Sequence, residues 1–354
     1  MSDSASFFEP KADEDKKKPS FELYIKASTI DANVKGSCPI CQQWFMLAYI
    51  LAEKQCVSFR VYTVCSATPP APFSARLQST HPSQYPVVIG LGGEDSNNQS
   101  LENRVVETID DVERFFEEVN PYFPDLKRNT TNNLNALRLF QDLSKKFNLF
   151  LVSPDNSGIK FTAYLKTIDE HLRKLETKFL CGSSLSYADC CLLPKLQHVR
   201  IAGAALKKYE IPEEFEGIWR YLKNAYAIPA FLETLPGDRE VVSHYISKVK
   251  NVGGIKPPNL QKLEPPTISV PLIYQDDQQV QVPEEEEEQQ VINNGREEDE
   301  VEVPEEEPSR ENGDDEDAMP EPDEVNREVY EEQQVLENDE TPKEICTNGD
   351  NLDE

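Results

Sequence analysis

The sequence predicts an α/β domain, then an all-helical domain, then an acidic disordered tail. Three observations carry this prediction: a strand–CxxC–helix–strand pattern near the start, a change to helices alone beyond Pro124, and a concentration of negative charge at the end. Of the formal net charge of -29, the stretch from Lys256 to Glu354 carries -28, with 34 acidic and 6 basic residues. The remaining residues, 1–255, are nearly neutral and numerous enough for one large domain or two small ones.

Residues 1–20 are predicted to form a disordered arm, because they are polar and contain Lys11 and Lys16–Lys18. No apolar stretch follows these lysines, so the pattern does not favour a secretory signal. Ser2 is not the glycine that N-myristoylation requires. We therefore expect a cytoplasmic protein whose eight cysteines are kept reduced.

Residues 21–120 are predicted to form the first domain, as β-α-β followed by β-β-α. Aromatic and β-branched residues mark the strands, and apolar residues at helical spacing mark the helices. The predicted elements are strand Phe21–Lys26, helix Pro39–Lys54, strand Val57–Val64, strand Tyr85–Ile89, a weak strand near Arg104–Val106 and helix Thr108–Val119. The first two strands are expected to be parallel, and the order is compatible with a thioredoxin-like fold.

Residues 125–252 are predicted to form the helical domain, with the boundary at Pro121–Pro124. Ser186 and Asp189 precede an apolar run at the spacing of a capping box, so both are assigned a structural role at a helix start. The predicted helices are Asn133–Leu151, Ile159–Lys178, Tyr187–Ala205, Pro212–Ala227, Ala230–Leu235 and Asp238–Lys250.

Residues 253–354 are predicted to be a disordered tail, because they combine prolines and glutamate runs with little apolar content. Two interpretations stay open: a solvated extension, or a docking segment that recruits a basic or scaffold protein partner. Nucleic acid is not expected as a partner, since the neutral body offers no basic surface and the tail would repel phosphates.

The motif that carries chemistry is Cys38-Pro39-Ile40-Cys41, placed where a strand passes into a helix. Unpaired N–H groups at a helix start favour a thiolate, and Cys41 follows one turn later on the same face. The first thiol can attack a disulfide and the second can resolve the product. A zinc site would need a second ligand pair, which the sequence does not offer at chelating spacing. Two ordinary buried thiols remain an alternative.

Pro86 is the second predicted element of the site. In thioredoxin-like folds a cis-proline opens the third strand and presents the preceding backbone to a peptide-like ligand, and X–Pro bonds alone have an inexpensive cis form. A trans proline at a strand start is the alternative. The longest uncharged stretch, Gly36–Ala52, has 17 residues, whereas about 20 are needed to cross a bilayer. A buried core helix is therefore expected there.

Several sequence blocks together resemble the chloride intracellular channel (CLIC) family over about residues 20–250. The second cysteine of the motif is more similar to invertebrate members than to the vertebrate pattern. The blocks are Glu22-Leu23-Tyr24-Ile25-Lys26-Ala27, Cys38 to Met46, Phe179-Leu180-Cys181-Gly182, Ala188 to His198, Ile211-Pro212-Glu213, Trp219-Arg220-Tyr221-Leu222 and Asn224-Ala225-Tyr226.

The resemblance implies an omega-class glutathione-transferase-like fold with a glutathione site and glutaredoxin-like activity. By that resemblance Cys38 is the reactive thiol, and Lys26, Tyr85, Pro86 and Val87 flank glutathione. It also implies membrane association, with Cys38–Val64 as the proposed crossing segment that meets lipid and conducts chloride. Charges within that segment are costly unless they line a pore.

One departure from the family pattern concerns the start of the third helix, where glutathione transferases grip the γ-glutamyl end. Glu107-Thr108-Ile109-Asp110-Asp111 matches that motif poorly, and its three carboxylates would repel glutathione, so weak binding is expected. Three hypotheses follow: a glutathione-dependent oxidoreductase, a membrane-inserting chloride channel, and a non-catalytic scaffold that recruits partners through its acidic tail.

Overall fold

A computed structural model describes residues 18–79, 82, 84–154, 157–249, 260 and 265–275. Nearly all of the predicted N-terminal arm and most of the predicted tail lie outside these residues. Their disorder therefore stays a prediction.

The N-terminal part is a four-stranded mixed sheet with helices, as the strand and helix patterns predict. The sheet order is β2-β1-β3-β4, so the first strand lies in the interior of the sheet. It runs parallel to β2 and antiparallel to β3, with Tyr24 opposite both Tyr62 and Val87. The elements are β1 Ser20–Lys26, α1 Pro39–Glu53, β2 Ser58–Val64, α2 Ala71–Ser74, β3 Val87–Gly92, β4 Val105–Val106 and α3 Ile109–Glu118.

The C-terminal part is helical and begins after a 3₁₀ turn at Pro124–Leu126. Its elements are α4 Thr131–Phe140, α5 Leu143–Val152, α6 Ile159–Lys174, α7 Tyr187–Lys207, α8 Glu216–Tyr226, α9 Pro229–Leu232 and α10 Asp238–Val249. The longest, α7, contacts α4, α5, α10 and also α1 of the N-terminal part. The predicted capping box is present, with the Ser186 hydroxyl and the Asp189 carboxylate each accepting from the other residue's backbone N–H.

One predicted helix, Asn133–Leu151, is in fact two, and the break falls at Gln141–Asp142. Phe140 and Leu143 are both fully buried on either side of the break. The change of direction lets α4 and α5 each pack against α7, which one straight helix could not do along its whole length.

Helix α1 lies between the two halves of the molecule. It contacts β1 and β2 on one side and α7 on the other, and ten of its fifteen residues are buried. The Gln43 amide donates to the Tyr187 hydroxyl of α7 at 3.2 Å, and the Trp44 and Tyr187 rings meet edge to face. The predicted buried core helix is thus confirmed.

A short segment within the predicted tail packs against the helical part. We call residues 265–275 the strap. Its Thr267 backbone N–H donates to Asp238 at 2.9 Å, and its Tyr274 hydroxyl donates to the Glu213 carbonyl at 2.6 Å. A composition rich in proline and glutamate predicts disorder across 253–354, but hydrogen-bond partners on distant helices fix this part of it.

Candidate functional site

The loop between β1 and α1 places Cys38 close to the C-terminal end of β1. The chain turns back so that the Gly36 N–H donates to the Lys26 carbonyl at 2.9 Å. A Cβ atom at position 36 would lie 2.5 Å from the Ala27 carbonyl oxygen. Glycine is therefore required for this close approach, which places Cys38 at the start of α1.

Cys38 occupies the N-cap position of α1, with extended backbone and Pro39 as the first helical residue. The Cys38 carbonyl accepts the first helical hydrogen bond, from the Gln42 N–H at 3.0 Å. Within the described residues, no side chain caps this helix, and its first turn contains no acidic residue. A helix start without an acidic residue in its first turn favours an anion at that end of the helix.

The two cysteines of the motif are both buried and lie in the first turn. Cys38 is 4 % exposed and Cys41 is 2 % exposed, and neither is part of a disulfide in the described structure. A substrate thus reaches the Cys38 sulfur only through a small opening. The reactive-thiol and resolving-thiol roles stay predictions.

The peptide bond between Tyr85 and Pro86 is cis, as expected for the proline that opens the third strand. Val87 follows as the first residue of β3 and pairs with Tyr24. Because β1 and β3 are antiparallel, Pro86 lies at the end of β1 that carries Lys26. Val87 as a whole residue, backbone included, is fully buried.

The Tyr85 phenol links several predicted site residues. Its hydroxyl is buried and has no hydrogen-bond partner among the described residues. Burial raises the pKa of Tyr85 above its usual value, the Cys41 thiol adds to the rise, and the Lys26 ammonium opposes it. The three groups are therefore close enough to interact electrostatically. Cys65 also raises this pKa.

Cys65 is a site neighbour that the sequence reasoning missed. It follows directly on β2, and its sulfur accepts from the Thr68 hydroxyl at 3.4 Å. The signal available was the parallel pairing of β1 with β2, which sets Val64 beside Lys26. The residue after β2 is thereby brought to the same end of the sheet as Cys38.

The start of α3 is occupied by the chain's own side chains. Both Glu107 carboxylate oxygens accept hydrogen bonds from Ser79. The Thr108 hydroxyl caps the helix by accepting from the Asp111 N–H, and it donates to the Asp111 carboxylate. The Ile109 N–H donates to the Gln84 side chain at 2.8 Å. The carboxylates expected to repel a ligand are thus partly engaged, but so are the donors that would bind one.

The helical part holds the loop before Cys38 in place through α10. The Ser37 hydroxyl donates to the Glu240 carbonyl at 2.8 Å, and the Ser28 hydroxyl donates to the Glu240 carboxylate at 3.3 Å. Arg239 pairs with that carboxylate at 2.7 Å. These contacts join residues about 200 positions apart, which no local sequence pattern reveals.

A buried histidine of α7 also meets this loop. His198 is fully enclosed and its Nδ1 lies 3.0 Å from the Tyr245 hydroxyl. Burial is the main reason that the pKa of His198 is lowered to about 3; the Lys248 charge acts in the same direction, and a hydrogen bond to the Ser37 backbone opposes both. The ring is therefore neutral in the folded protein at physiological pH.

Two further features of the described residues concern metal binding and membrane spanning. No cluster of three or more His, Cys, Asp or Glu side chains in the described parts of the chain is placed to hold a metal ion. Of the helices with described residues, none combines the length and the apolar character needed to span a bilayer.

Comparison with known proteins identifies relatives of both halves. Residues 156–224 match the family model of the glutathione S-transferase C-terminal domain. The chloride intracellular channel Clic of Drosophila melanogaster is 32 % identical over 252 residues, which is 71 % of this chain and 89 % of that relative. The chloride intracellular channel exc-4 of Caenorhabditis elegans is 30 % identical over 237 residues, 64 % of this chain and 80 % of the relative.

The solved structures agree with this assignment. The crystal structure of the CLIC homologue EXC-4 from C. elegans aligns with a TM-score of 0.58 at 26 % sequence identity, covering 72 % of this chain and 95 % of that one. The mixed sheet, the helical second half and these relatives fit the predicted glutathione-transferase-like fold. On this evidence, the chain belongs to the chloride intracellular channel family.

Proposed function

We propose that the protein is a glutathione-dependent thiol–disulfide oxidoreductase in which Cys38 attacks and Cys41 resolves. The observation that carries this proposal is the position of Cys38 at an uncapped helix start, in a fold whose third strand follows a cis-proline. The helix dipole and the N–H groups of the first turn stabilise a thiolate, which is the attacking species.

The reaction begins on a glutathionylated substrate, R–S–S–G. The Cys38 thiolate attacks the glutathionyl sulfur, the S–S bond of the substrate breaks, and the substrate leaves as the thiolate R–S⁻, which takes a proton from water. A second glutathione thiolate then attacks the glutathionyl sulfur of the mixed disulfide, releasing oxidised glutathione and the Cys38 thiolate. Alternatively, Cys41 attacks the Cys38 sulfur and releases glutathione, and two further glutathiones reduce the resulting Cys38–Cys41 disulfide.

Glutathione is proposed to lie along the end of β1 and the start of β3. Its cysteinyl backbone would pair with the backbone beside Pro86 and Val87, and the Lys26 ammonium would attract a carboxylate. The Tyr85 hydroxyl, which has no partner among the described residues, is a further donor near Cys41. Because Thr108, Asp111 and Gln84 occupy the start of α3, the γ-glutamyl end gains little there, and weak affinity follows.

The test is turnover of a glutathionylated peptide with excess glutathione, coupled to glutathione reductase. We expect Cys38→Ser to lower the rate at least about 100-fold, since the nucleophile is lost. Cys41→Ser should retain the route through a second glutathione and lose only the intramolecular one. Cys190→Ser, in the helical part, is the matched control and should match the wild type.

Equal turnover by wild type and Cys38→Ser would exclude this function. A Cys41→Ser variant as inactive as Cys38→Ser would instead show that the glutathione route does not operate and that catalysis requires the dithiol.

A second candidate, chloride conduction by a membrane-inserted form, is favoured by the chloride intracellular channel names of the two curated relatives. The direct measurement is chloride efflux from lipid vesicles, with and without oxidant, at neutral and mildly acidic pH. Efflux that depends on the added protein would support it, and none under any of these conditions would exclude it.

A further inference from the structure

The strap lies in a groove formed by α7, α8 and the start of α10. Two strap carbonyls, separated by one residue, accept hydrogen bonds from side chains of the groove. The Thr267 carbonyl accepts from Gln197 at 3.0 Å and from Arg200 at 3.1 Å, and the Ser269 carbonyl accepts from the same guanidinium. No helix is assigned to residues 265–271, and in an extended backbone carbonyls two residues apart point the same way.

The donors of the groove are held in place without help from the strap. The Arg200 guanidinium lies over the Trp219 and Tyr226 rings, 5.4 and 5.6 Å from their centres. It donates to the Tyr226 hydroxyl at 2.7 Å, and that hydroxyl donates to the Gln197 side chain at 2.6 Å. This network orients Arg200 and Gln197 toward a peptide backbone and reduces the entropy lost on binding.

Asp238 supplies side-chain selectivity. One of its oxygens accepts from the Thr267 N–H at 2.9 Å, and the other accepts from the Thr267 hydroxyl at 2.5 Å. A residue without a hydroxyl would satisfy only one of these oxygens. The groove thus distinguishes Thr or Ser at this point of a peptide from apolar residues of similar size.

Part of the strap packs against the core, part of it is exposed, and a cavity lies beside it. Val270 and Tyr274 pack against the core, whereas Leu272 and Ile273 are 81 % and 68 % exposed. A cavity of about 610 Å³ remains between strap and groove, with walls from Trp219, Val242 and Pro271. This cavity adjoins the strap, because strap residues line it together with groove residues.

We propose that this groove is a peptide-binding site, and that the strap is its built-in, displaceable ligand. The ligand class is an extended, proline-containing segment of a partner protein with Thr or Ser opposite Asp238 and an apolar residue three positions later. This inference goes beyond the proposed redox function and does not depend on it.

Because the strap is part of the same chain, it competes at a high local concentration. Joining a ligand to its site through a short linker gives an effective concentration on the order of 1 mM. A free peptide with a dissociation constant of about 100 μM would then bind the intact chain roughly ten-fold more weakly than an open groove. A partner must therefore bind better than the strap or meet a chain whose strap is released.

The experiment uses the full chain and a fluorescently labelled synthetic peptide of residues 264–275, followed by anisotropy. Thr267→Val with Tyr274→Phe loosens the strap while leaving every groove residue intact. We expect the peptide to bind this double variant about ten-fold more tightly than the wild type. Asp238→Ala added to the double variant should abolish binding, and Asp110→Ala, on α3, is the matched control that should not.

Equal affinity for the wild type and the double variant, or binding that survives Asp238→Ala, would overturn the proposal. If the double variant folds poorly, amide hydrogen exchange on the wild-type chain provides the second test. Excess unlabelled peptide should speed exchange of the Thr267 N–H as it displaces the strap. Unchanged exchange at millimolar peptide would equally refute a displaceable ligand.

Discussion

Two helices of this protein, α1 and α7, each carry a pair of cysteines near the first turn. The two helix starts differ in how they are capped. At α1, Cys38 precedes a helix that no described side chain caps and whose first turn has no acidic residue. At α7, Cys190 and Cys191 follow a complete capping box. Burial raises the pKa of Cys190 well above its usual value, and Cys191 and the Asp189 carboxylate add to the rise.

The difference shows that a helix start does not by itself activate a cysteine. Asp189 accepts hydrogen bonds from the Ser186 and Leu180 N–H groups and from the Tyr221 hydroxyl. The first N–H groups of α7 have their own acceptors, since Ala188 donates to the Asn133 side chain and Asp189 to the Ser186 hydroxyl. The Asp189 side chain also lies at the positive end of the helix dipole. At α1 the N-cap side chain makes no capping hydrogen bond and the first turn contains no acidic residue. The two helix starts therefore differ in capping and in charge.

The largest expected effect is on thiol reactivity. Brief treatment of the folded chain with iodoacetamide should modify Cys38 at least about 100-fold faster than Cys190 or Cys191, because burial raises the pKa of Cys191 to about 12 and alkylation needs the thiolate. Peptide mapping by mass spectrometry measures the ratio. Labelling after unfolding in urea, where all three should react alike, is the control.

Comparable alkylation rates for Cys38 and for Cys190 or Cys191 in the folded protein would show that the two helix starts do not differ in thiol reactivity. Protection of Cys38 as complete as that of Cys190 would show that its 4 % exposure outweighs the helix start.

The next effect concerns stability and the cap of α7. Asp189→Ala should lower the free energy of unfolding by at least about 3 kcal/mol, because it leaves several buried donors without an acceptor. Thr108→Ala removes a cap of similar pattern at the exposed start of α3 and should cost about 1 kcal/mol. Urea denaturation followed by circular dichroism compares them, and equal losses would show that burial of the α7 cap adds nothing.

A pH effect should follow from His198, which joins α7 to the Cys38 loop. Its folded pKa of about 3 lies below its unfolded value, about 6.5. Between these values the unfolded chain binds a proton that the folded chain excludes, so stability is lost as pH falls. The slope is up to about 1.4 kcal/mol per pH unit.

Replacing His198 by Gln should reduce that dependence between pH 6.5 and pH 5 without removing it, because burial also lowers the pKa of His244. His171→Gln, at an exposed position of α6 where burial lowers the pKa as well, is the comparison and should have the smaller effect. Unfolding free energies measured across this range decide the matter. An unchanged slope in His198→Gln would mean that the histidine titrates normally in the folded state.

The smallest effect should come from the contact that joins the two regions. Ser37→Ala removes one buried hydrogen bond to the Glu240 carbonyl, which contributes about 1 kcal/mol to stability. We expect a modest loss of stability together with a changed alkylation rate at Cys38. Ser58→Ala, on the exposed start of β2, is the control, and an unaltered Cys38 rate in Ser37→Ala would restrict this serine to a structural role.

Much of the fold follows from local patterns in the sequence. Pro39 after Cys38 marks the start of α1, the position of Pro86 before β3 anticipates a cis bond, and Ser186 with Asp189 marks the start of α7. Each depends on residues within a few positions of one another. The break between α4 and α5 was missed, because helical periodicity continues across Gln141–Asp142 and only packing on α7 requires the turn.

The missed parts of the site depend on residues far apart in the chain. Cys65 joins the site through sheet pairing, and Ser37 is held by Glu240 about 200 residues later. The strap illustrates the same limit, since Asp238 and Arg200 give Thr267 partners that its own neighbourhood lacks. Composition reports the cost of ordering a segment, but only tertiary structure supplies the contacts that offset it.

The position of α1 between the sheet and α7 has a consequence for how the molecule unfolds. Removing either half would expose the apolar surface of a helix that both halves share, including Trp44. The two halves should therefore melt together, as a single calorimetric transition whose van't Hoff and measured enthalpies agree. A disulfide formed or broken at Cys38 therefore lies at the start of a helix that packs against both halves of the molecule.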